Sequence, residues 1–350
     1  GAVVGMISQI SGQPIKTFSV GFNEEKFNEL PYARKISDKF LTDHTEIILK
    51  PEVIGLLPTL AYFFDEPFAD SSAIPAYYIS GIAAQQVKVV LTGDGGDESF
   101  AGYPRYRKIQ WFKMLQCFPQ STIKTFEQWA IELLFGLDKQ AEKLNRMDKK
   151  ILRALFPDLR CFHFSEFFNG RIKKQLYGEF LQQELNHAHI ERIKSMRQAG
   201  STNTEGMNIV DRMLALDFAW YLPDDLMYKA DIASMANSLE ARCPFLDHQF
   251  LEFSAAIPPK WKVRRGTGKY ILKKALESLL PHENIHRKKM GFTVPLHHWF
   301  RKELKDLSHD LLLSRNSRCR TLFQIPYIEK MLQEHLAYKS NHGRRLWALV

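Results

Sequence analysis

Cysteine and long apolar runs are scarce in this sequence. Four cysteines occur among 350 residues, and none belongs to a Cys-x-x-Cys pair: Cys117, Cys161, Cys243 and Cys319. This spacing argues against a disulfide framework or a zinc knuckle and favours reduced thiols in a cytosol. No apolar run approaches the ~20 residues that a membrane-spanning helix needs. We therefore expect a cytoplasmic protein without a membrane partner.

Several common binding motifs are missing as well. The closest histidine pairs, His187/His189 and His297/His298, lack the helical spacing of a metal-binding pair. The chain has no EF-hand, no G-x-x-x-x-G-K-S/T segment and no internal repeat. Residues 1–10 lack the basic region and long apolar stretch of a signal peptide. What is left is an ordinary globular composition, 45% hydrophobic and 25% charged.

The positive charge is the unusual feature, and it is local. The chain has 48 Lys+Arg and 39 Asp+Glu, a formal net charge of +9. Residues 260–302 hold 12 of the basic residues and only two acids, Glu277 and Glu283. An excess of basic residues alone would favour a polyanionic partner, whether nucleic acid, anionic lipid or nucleotide phosphate. Its concentration in one segment favours a polyphosphate ligand, so we expect no nucleic-acid partner.

The first hundred residues alternate between helical and strand-like patterns. Strands are predicted at residues 17–22 (TFSVGF), 44–49 (HTEIIL) and 88–92 (KVVLT), the last as an apolar strand typical of a buried parallel sheet. Such a series predicts a doubly wound α/β layer. Beyond Tyr103 the apolar spacing becomes helical. We predict a nucleotide-binding α/β core at 1–104, a helical region at 105–202 and a mostly helical remainder at 203–350.

The strongest local motif is VVLTGDGGDESFAGYPRY, residues 89–106. Three glycines in four positions let backbone N–H groups approach a ligand after the predicted strand. Three carboxylates in the same loop would repel phosphates unless a divalent cation lay between them, which favours Mg²⁺–nucleotide. A tight turn with carboxylates at a helix N-terminus is the alternative interpretation.

Two further segments carry clustered charges. In residues 221–248 (YLPDDLMYKADIASMANSLEARCPFLDH), Glu240 and Arg242 could form a buried ion pair that fixes a helix exit. Residues 264–269 (RRGTGK) place Lys269 after a glycine-rich turn and before a predicted helix at 270–280. A lysine between a glycine-rich turn and a helix is also a feature of phosphate-binding loops, although a solvated basic loop explains the segment equally well.

These motifs together carry a family resemblance. Five segments stand in the order found in the synthetase half of glutamine-dependent asparagine synthetases: TFSVGF, VVLTGDGGDESFAGYPRY, YKADIASMANSLEARCPFLDH, GKYILKKAL and RKKMGF. The chain resembles that family over nearly its whole length, least so in residues 106–203. The resemblance implies a PP-loop, or adenine nucleotide α-hydrolase-like, α/β fold: a doubly wound parallel sheet with a large helical region.

The resemblance also implies an activity. In the family, MgATP activates the β-carboxylate of L-aspartate to give β-aspartyl-AMP and pyrophosphate. Ammonia, supplied from glutamine by an N-terminal domain, then displaces AMP to give L-asparagine. ATP and Mg²⁺ are therefore the expected cofactors, and aspartate, ATP and ammonia or glutamine the expected partners. A homodimer is compatible with the resemblance.

Roles carry over to individual positions in the same way. The catalytic positions fall on Asp94, Lys269 and Glu240, with Lys269 neutralising charge on the phosphates. The nucleotide contacts fall on Val20, Thr92, Gly93, Gly95 and Lys289. Asp97 resembles a Mg²⁺ ligand. The resemblance does not identify the aspartate-binding residues; Asp70-Ser71-Ser72 is a hypothesis that rests only on its place where a predicted helix begins.

Two departures from the family pattern are evident. The pyrophosphate-binding Ser-Gly-Gly-x-Asp-Ser should precede the first helix, and the sequence opens at that helix. The glutaminase domain, with its terminal cysteine nucleophile, is also absent. We therefore expect an internal fragment of a longer protein, with little or no turnover alone. A milder departure is Asp94, where many members carry Glu.

Two other functions stay open. The same adenylation chemistry could act on another carboxylate, such as a sugar acid, a β-lactam precursor or a peptide. A PP-loop tRNA-modifying protein would fit the basic charge, but no RNA-binding module or zinc pattern supports it.

Overall fold

A computed structural model describes residues 1–50, 55–110, 167–168, 170–183, 207–287, 291 and 294–350. The chain divides into two compact units: unit 1 comprises residues 1–104 and 218–295, and unit 2 comprises 105–217 and 296–350. The three-part division expected from the sequence stays a prediction. Among the described residues, no helix is both long and apolar enough to cross a bilayer.

Among the residues that the structure describes, helices dominate both units. In chain order the described α-helices are α1 (Ala2–Ile10), α2 (Leu30–Phe40), α3 (Leu57–Phe64), α4 (Ala73–Ala84), α5 (Gly96–Ser99), α6 (Pro104–Gln110), α7 (Gly170–Leu176), α8 (Ile209–Leu216), α9 (Tyr228–Met235), α10 (His248–Ala256), α11 (Pro259–Lys262), α12 (Tyr270–Ala275), α13 (His282–His286), α14 (Leu296–Trp299), α15 (Lys305–Leu313), α16 (Cys319–Leu322), α17 (Ile325–Leu336) and α18 (Gly343–Leu349). A π-helical segment, Asp217–Met227, precedes α9 and contains Pro223. Its wider turn accommodates a proline that cannot donate a backbone hydrogen bond.

Four described strands form two parallel pairs. Strand β1 (Lys16–Phe22) runs beside β2 (Asp43–Leu49), with Lys16 opposite Asp43 and Phe22 opposite Leu49. Strand β3 (Val89–Leu91) runs beside β4 (Glu240–Arg242). Parallel pairing requires long crossovers, which α2 provides for the first pair. The α/β class with parallel strands is confirmed, whereas a single doubly wound sheet stays a prediction.

The third predicted strand differs from expectation in its burial. Val89 and Leu91 are 42% and 43% exposed, so the expectation of a fully buried strand was wrong. The reason is that, among the described strands, β3 is paired only with β4. An apolar run predicts a strand correctly here but overstates how much of the strand is covered.

A hydrophobic cluster in unit 1 fixes α1 against α2 and the α12 region. Its buried residues are Ile36, Leu276, Leu280 and Ile285, with Val4 and Phe40 packed against them. Helix α12 ends at Ala275 rather than at the predicted residue 280. The following residues form turns instead, with the Leu279 and Leu280 N–H groups both donating to the Leu276 carbonyl oxygen.

Unit 2 contains a buried histidine. The His335 side chain lies at the end of α17, and the backbone N–H of His342 donates to its Nδ1 at 3.0 Å. Arg301 donates to the His335 carbonyl oxygen, and His342 itself pairs with Glu334 at 2.9 Å. Burial, together with the positive charge of Arg301 and the nearby His342 and His297, lowers the pKa of His335 to about 4.

This shift predicts acid sensitivity. An unfolded histidine takes up a proton near pH 6.5, whereas the folded one stays neutral to about pH 4. Stability is therefore present at pH 7 and is lost as pH falls, by about 2 kcal/mol at pH 5. His335→Asn keeps an acceptor for the His342 N–H but removes the imidazole. Its free energy of unfolding should therefore fall by about 2 kcal/mol less than that of the wild type between pH 7 and pH 5. Urea unfolding at pH 7 and pH 5 measures this, and equal losses in both proteins would contradict it.

Candidate active site

The loop after β3 begins with a hydrogen-bonded threonine. The Thr92 N–H donates to the Arg242 carbonyl oxygen at 2.9 Å, which extends the pairing with β4 by one residue. Its hydroxyl donates to Asp94 Oδ2 at 2.8 Å and lies 3.2 Å from Cys243 Sγ. Thr92 and Asp94 are thus fixed together at the carboxyl end of a parallel strand, where open α/β sheets bind ligands.

The Cys243 thiol lies directly against this loop. Burial raises its pKa; the hydrogen bond with Thr92 works in the opposite direction, and the Asp94 carboxylate adds to the rise. A thiol with a raised pKa is a poor nucleophile. The position of Cys243 is therefore that of a packing contact for Thr92 rather than of a reactive group.

Two glycines of the loop have different structural roles. Gly95 has φ +85°, and a Cβ there would overlap the Leu246 side chain. The Gly95 carbonyl also accepts the Ser99 N–H at 2.8 Å, the first hydrogen bond of α5. A Cβ on Gly93 would meet nothing within 4 Å. The fold therefore requires glycine at position 95, whereas position 93 leaves open space beside the backbone.

An ion pair joins this loop to the basic segment. Lys269 Nζ lies 3.1 Å from Asp97 Oδ1, and the two side chains are 25% and 14% exposed. Lys269 immediately precedes α12 with φ +53°, and its N–H donates to the Phe100 carbonyl oxygen at 2.9 Å. The two residues that the sequence predicted for phosphate and metal are therefore in direct contact.

The first turn of α1 adds a second positive region. Arg287 and Lys269 both lie close enough to the start of α1 to act on it electrostatically. The Arg287 guanidinium is held by Glu29 at 2.6 Å and lies over the Tyr32 ring. Helix N-termini carry unpaired N–H groups and favour anions. Lys269, Arg287 and α1 together form a surface suited to an anion with several charges.

A separate polar cluster lies where α4 begins. Lys229 Nζ is 2.8 Å from Asp70 Oδ2 and 2.7 Å from Ser72 Oγ. Ser72 also donates to Asp70 through its hydroxyl and its N–H, at 2.6 and 3.0 Å. Burial works against ionisation of Asp70, but Lys229 and Ser72 outweigh it and lower its pKa. Burial and the neighbouring Asp70 raise the pKa of Asp225 to about 6.

Sulfur contacts connect the two parts of the site. Cys243 Sγ lies 3.9 Å from Met227 Sδ, and Met227 stands between Asp225 and Lys229 in the chain. The Cys243–Met227 contact therefore links the Thr92 loop to the stretch of backbone that carries Asp225 and Lys229.

The remaining predicted residues are placed differently. Val20 is buried in β1 opposite Ile47. Glu240 lies in β4 and pairs with Arg242 at 2.6 Å, but both side chains are more than half exposed, 52% and 64%. The expected buried ion pair at a helix exit was wrong, because the pair sits on an exposed strand. The catalytic role of Glu240 stays a prediction, and Lys289 lies outside the described residues.

Asp97 could contribute one carboxylate to a Mg²⁺ site. Among the described residues, no group of three or more His, Cys, Asp or Glu side chains could hold a metal ion. Mg²⁺ commonly takes one or two carboxylates together with waters and substrate phosphates. Asp97, beside the cations Lys269 and Arg287, could supply one such carboxylate but no all-protein cage.

Sequence reasoning missed the contribution of Lys229. Asp225 and Lys229 are four residues apart, a spacing at which helical side chains become neighbours. That spacing signalled a local ion pair. The stronger partner of Lys229 is Asp70, 159 positions away, which only the packing of α4 against α9 reveals.

Comparisons with known proteins agree on one family. A family model described as Asparagine synthase matches residues 1–350. The chain is 29% identical over 338 residues to asparagine synthetase (glutamine-hydrolyzing) 1 of Bacillus subtilis strain 168, covering 96% of the chain and 51% of that protein. It is 24% identical over 332 residues to asparagine synthetase (glutamine-hydrolyzing) 3 of the same strain, covering 91% of the chain and 47% of that protein.

A fungal protein with another name is also similar. Amidase chyE of Penicillium rubens is 25% identical over 336 residues, covering 85% of the chain and 46% of that protein. The chain thus spans about half the length of the curated relatives it matches.

Proposed function

The chain belongs to the asparagine synthase family, and from that premise we propose that it carries the ATP-dependent amidation of L-aspartate to L-asparagine. The observation that carries this proposal is the meeting of three features in unit 1. These are the Asp97–Lys269 pair, the loop at the end of β3, and the N-terminus of α1 beside Arg287. Two cations, each paired with a carboxylate, lie beside a helix N-terminus, an arrangement that suits a nucleoside triphosphate with its divalent cation.

The first proposed step forms an acyl-adenylate. An oxygen of the aspartate β-carboxylate attacks the α-phosphorus of ATP, the bond to the β-phosphate breaks, and pyrophosphate leaves. Lys269 and Arg287 neutralise the charge that develops on the leaving group. Asp97 would hold Mg²⁺, which supplies further neutralisation of the phosphate oxygens. Thr92 orients Asp94 beside the backbone at Gly93, where the nucleotide would lie.

The second proposed step transfers nitrogen. Ammonia attacks the acyl carbon of β-aspartyl-AMP, the carbon–oxygen bond to the phosphate breaks, and AMP leaves with the electron pair. The nitrogen loses a proton to solvent and L-asparagine forms. Supply of ammonia from glutamine is proposed for the whole protein by likeness to relatives named glutamine-hydrolyzing.

The Asp70–Lys229 cluster is the proposed site for the amino-acid substrate. It contains two carboxylates, Asp70 and Asp225, and one ammonium group, Lys229. The cluster is therefore one cation short; burial, and after it the neighbouring Asp70, raise the pKa of Asp225 to about 6. The α-ammonium group of aspartate would supply the missing charge and orient the β-carboxylate toward the Thr92 loop.

The finer fold assignment is part of the proposal. Both described strand pairs are parallel, and β1 and β3 each have an edge that no described strand occupies. We expect the pairs to belong to one doubly wound PP-loop sheet, as the family resemblance implies.

Product analysis of the protein in its full natural length tests this function. AMP and pyrophosphate should form in equal amounts, dependent on aspartate and on ammonia or glutamine. Lys229→Met should raise the KM for aspartate roughly tenfold or more while ATP affinity stays unchanged. Binding of ATP without aspartate-dependent AMP formation would overturn the proposed reaction.

A second acceptor is favoured by one observation. A relative named as an amidase and not as an asparagine synthetase is 25% identical to the chain, which keeps another acceptor carboxylate as the second candidate. A screen of carboxylates, read as AMP release, separates the two functions. Release with another carboxylate and not with aspartate would assign the alternative.

A further inference from the structure

The loop that leads into Lys269 has a strained backbone. Arg265 and Lys269 have φ of +47° and +53°, in the left-handed region that residues with a Cβ rarely adopt, and Gly266 between them has φ +74°. Strain of this kind persists only where surrounding contacts hold the backbone in place, and it is common at functional sites. The contacts that hold this loop therefore indicate what keeps Lys269 in its position.

Backbone contacts hold the loop at two places. The Arg264 and Thr267 N–H groups donate to each other's carbonyl oxygens at 3.0 and 2.8 Å. This closes a tight turn over the two residues between them, both with positive φ, as in a type I′ turn. After the turn, a Cβ on Gly268 would overlap the Ala101 carbonyl oxygen, so the backbone lies directly against that segment. The turn and the exit of the loop are thus both fixed.

Side chains join the two ends of the loop. The rings of Trp261, before the loop, and Tyr270, after it, are stacked with their centroids 6.2 Å apart and their planes 26° apart. The Arg264 guanidinium lies 5.1 Å from each centroid, and its Nη1 donates to the Tyr270 hydroxyl oxygen at 3.1 Å. A guanidinium against aromatic faces is stabilised electrostatically. We call these three side chains, Trp261, Arg264 and Tyr270, the aromatic clamp.

We propose that Arg264 is a positioning residue, which sets the place of the Lys269 ammonium group by holding the backbone on both sides of it. The inference rests on the proposed function, in which Lys269 neutralises charge on leaving pyrophosphate. The turn that Arg264 closes restrains Lys269 from the N-terminal side. Tyr270, which directly follows Lys269, is held by the Arg264 side chain and restrains it from the C-terminal side. A displacement of ~1 Å at such a group can lower a rate by about 10²-fold.

Direct contact with the nucleotide is the competing role for an exposed guanidinium. In that role Arg264 would add to ATP binding independently of Lys269, and its removal would raise the KM for ATP. A positioning residue acts through Lys269 instead, so its removal should lower kcat and should matter only while Lys269 is present. The two roles therefore differ in the kinetic parameter affected and in their dependence on Lys269.

Kinetics of Arg264→Met in the protein at its full natural length test the proposal. The kcat for AMP formation should fall roughly tenfold, because two ring contacts and one hydrogen bond are lost, whereas the KM for ATP should change less than about twofold. In a Lys269→Met background, the same change should cost less than about twofold, because no ammonium group is left to position. Arg264→Lys keeps a cation near the rings and should recover part of the rate.

Arg265→Met is the matched control. Arg265 is exposed like Arg264 and carries the same charge, but no described residue meets its side chain through a hydrogen bond, an ion pair or a ring. Its replacement should leave kcat within about twofold of the wild type. An equal loss in both variants would assign the effect to the charge of the segment and overturn the positioning role. A loss that persists at similar size in the Lys269→Met background, or a raised KM for ATP with unchanged kcat, would also overturn it.

Hydrogen exchange separates this inference from the proposed function. The Lys269 N–H donates to the Phe100 carbonyl oxygen at 2.9 Å, so its exchange rate reports how firmly the backbone is held there. Arg264→Met should speed exchange in the peptide that contains Lys269 roughly tenfold and Arg265→Met should not, with circular dichroism showing both variants folded. Unchanged exchange in Arg264→Met would overturn the positioning role. Wild-type protein without aspartate-dependent AMP formation would instead reject the proposed function.

Discussion

Lys269→Met is expected to lower kcat/KM for AMP formation by roughly 10²–10³-fold, the usual cost of removing one group that stabilises transition-state charge. The left-handed backbone of Lys269, its hydrogen bond to Phe100 and its contact with Asp97 hold the ammonium group in one place. A preorganised cation stabilises charge on departing pyrophosphate without reorganising during the reaction. In the protein at its full natural length, the loss should fall mainly on kcat, measured as initial rates of AMP release.

Two matched variants show whether the effect belongs to this position. Lys274→Met removes an equal charge from α12, the helix that Lys269 precedes; there the side chain pairs with exposed Glu277, so the rate should change less than about twofold. Lys269→Arg keeps the charge but not the shape of the ammonium and should recover part of the rate. A Lys269→Met enzyme whose kcat equals that of the wild type would contradict the assigned role.

The local structure of the site could be predicted from sequence, because it depends on local patterns. The strand before Thr92, the glycine turn and the helix after Lys269 follow from apolar runs, glycine and spacing along the chain. The family resemblance then selected Asp97 and Lys269. Their direct contact could not be predicted, since no pattern in either segment specifies the other.

The wrong predictions of burial have a common cause. Val89, Leu91 and Glu240 all lie on the short β3–β4 pair, and their exposure depends on what covers that pair. Coverage is a property of tertiary packing, so an apolar run or a charge pair in the sequence does not fix it. The Asp70–Lys229 contact was missed for the same reason, because it joins two helices that are distant in the chain.

Gly95→Ala is expected to destabilise unit 1 by about 2–5 kcal/mol, combining the left-handed backbone cost with overpacking. The φ of +85° and the overlap with Leu246 both oppose a Cβ at this position. The same change shifts the start of α5, and with it Asp97. ATP affinity should therefore fall together with stability, measured by calorimetry and by urea unfolding.

Gly93→Ala separates packing from binding in the same loop. Its Cβ meets no atom within 4 Å, so unfolding should change by less than about 0.5 kcal/mol. If the nucleotide lies against this backbone, however, the added methyl group occupies its space, and ATP affinity should fall while stability does not. Unchanged ATP affinity in Gly93→Ala would show that the nucleotide lies elsewhere, even if Gly95→Ala behaves as expected. Loss of ATP affinity without loss of stability would instead assign the open space beside Gly93 to the ligand, because a packing defect would lower stability as well.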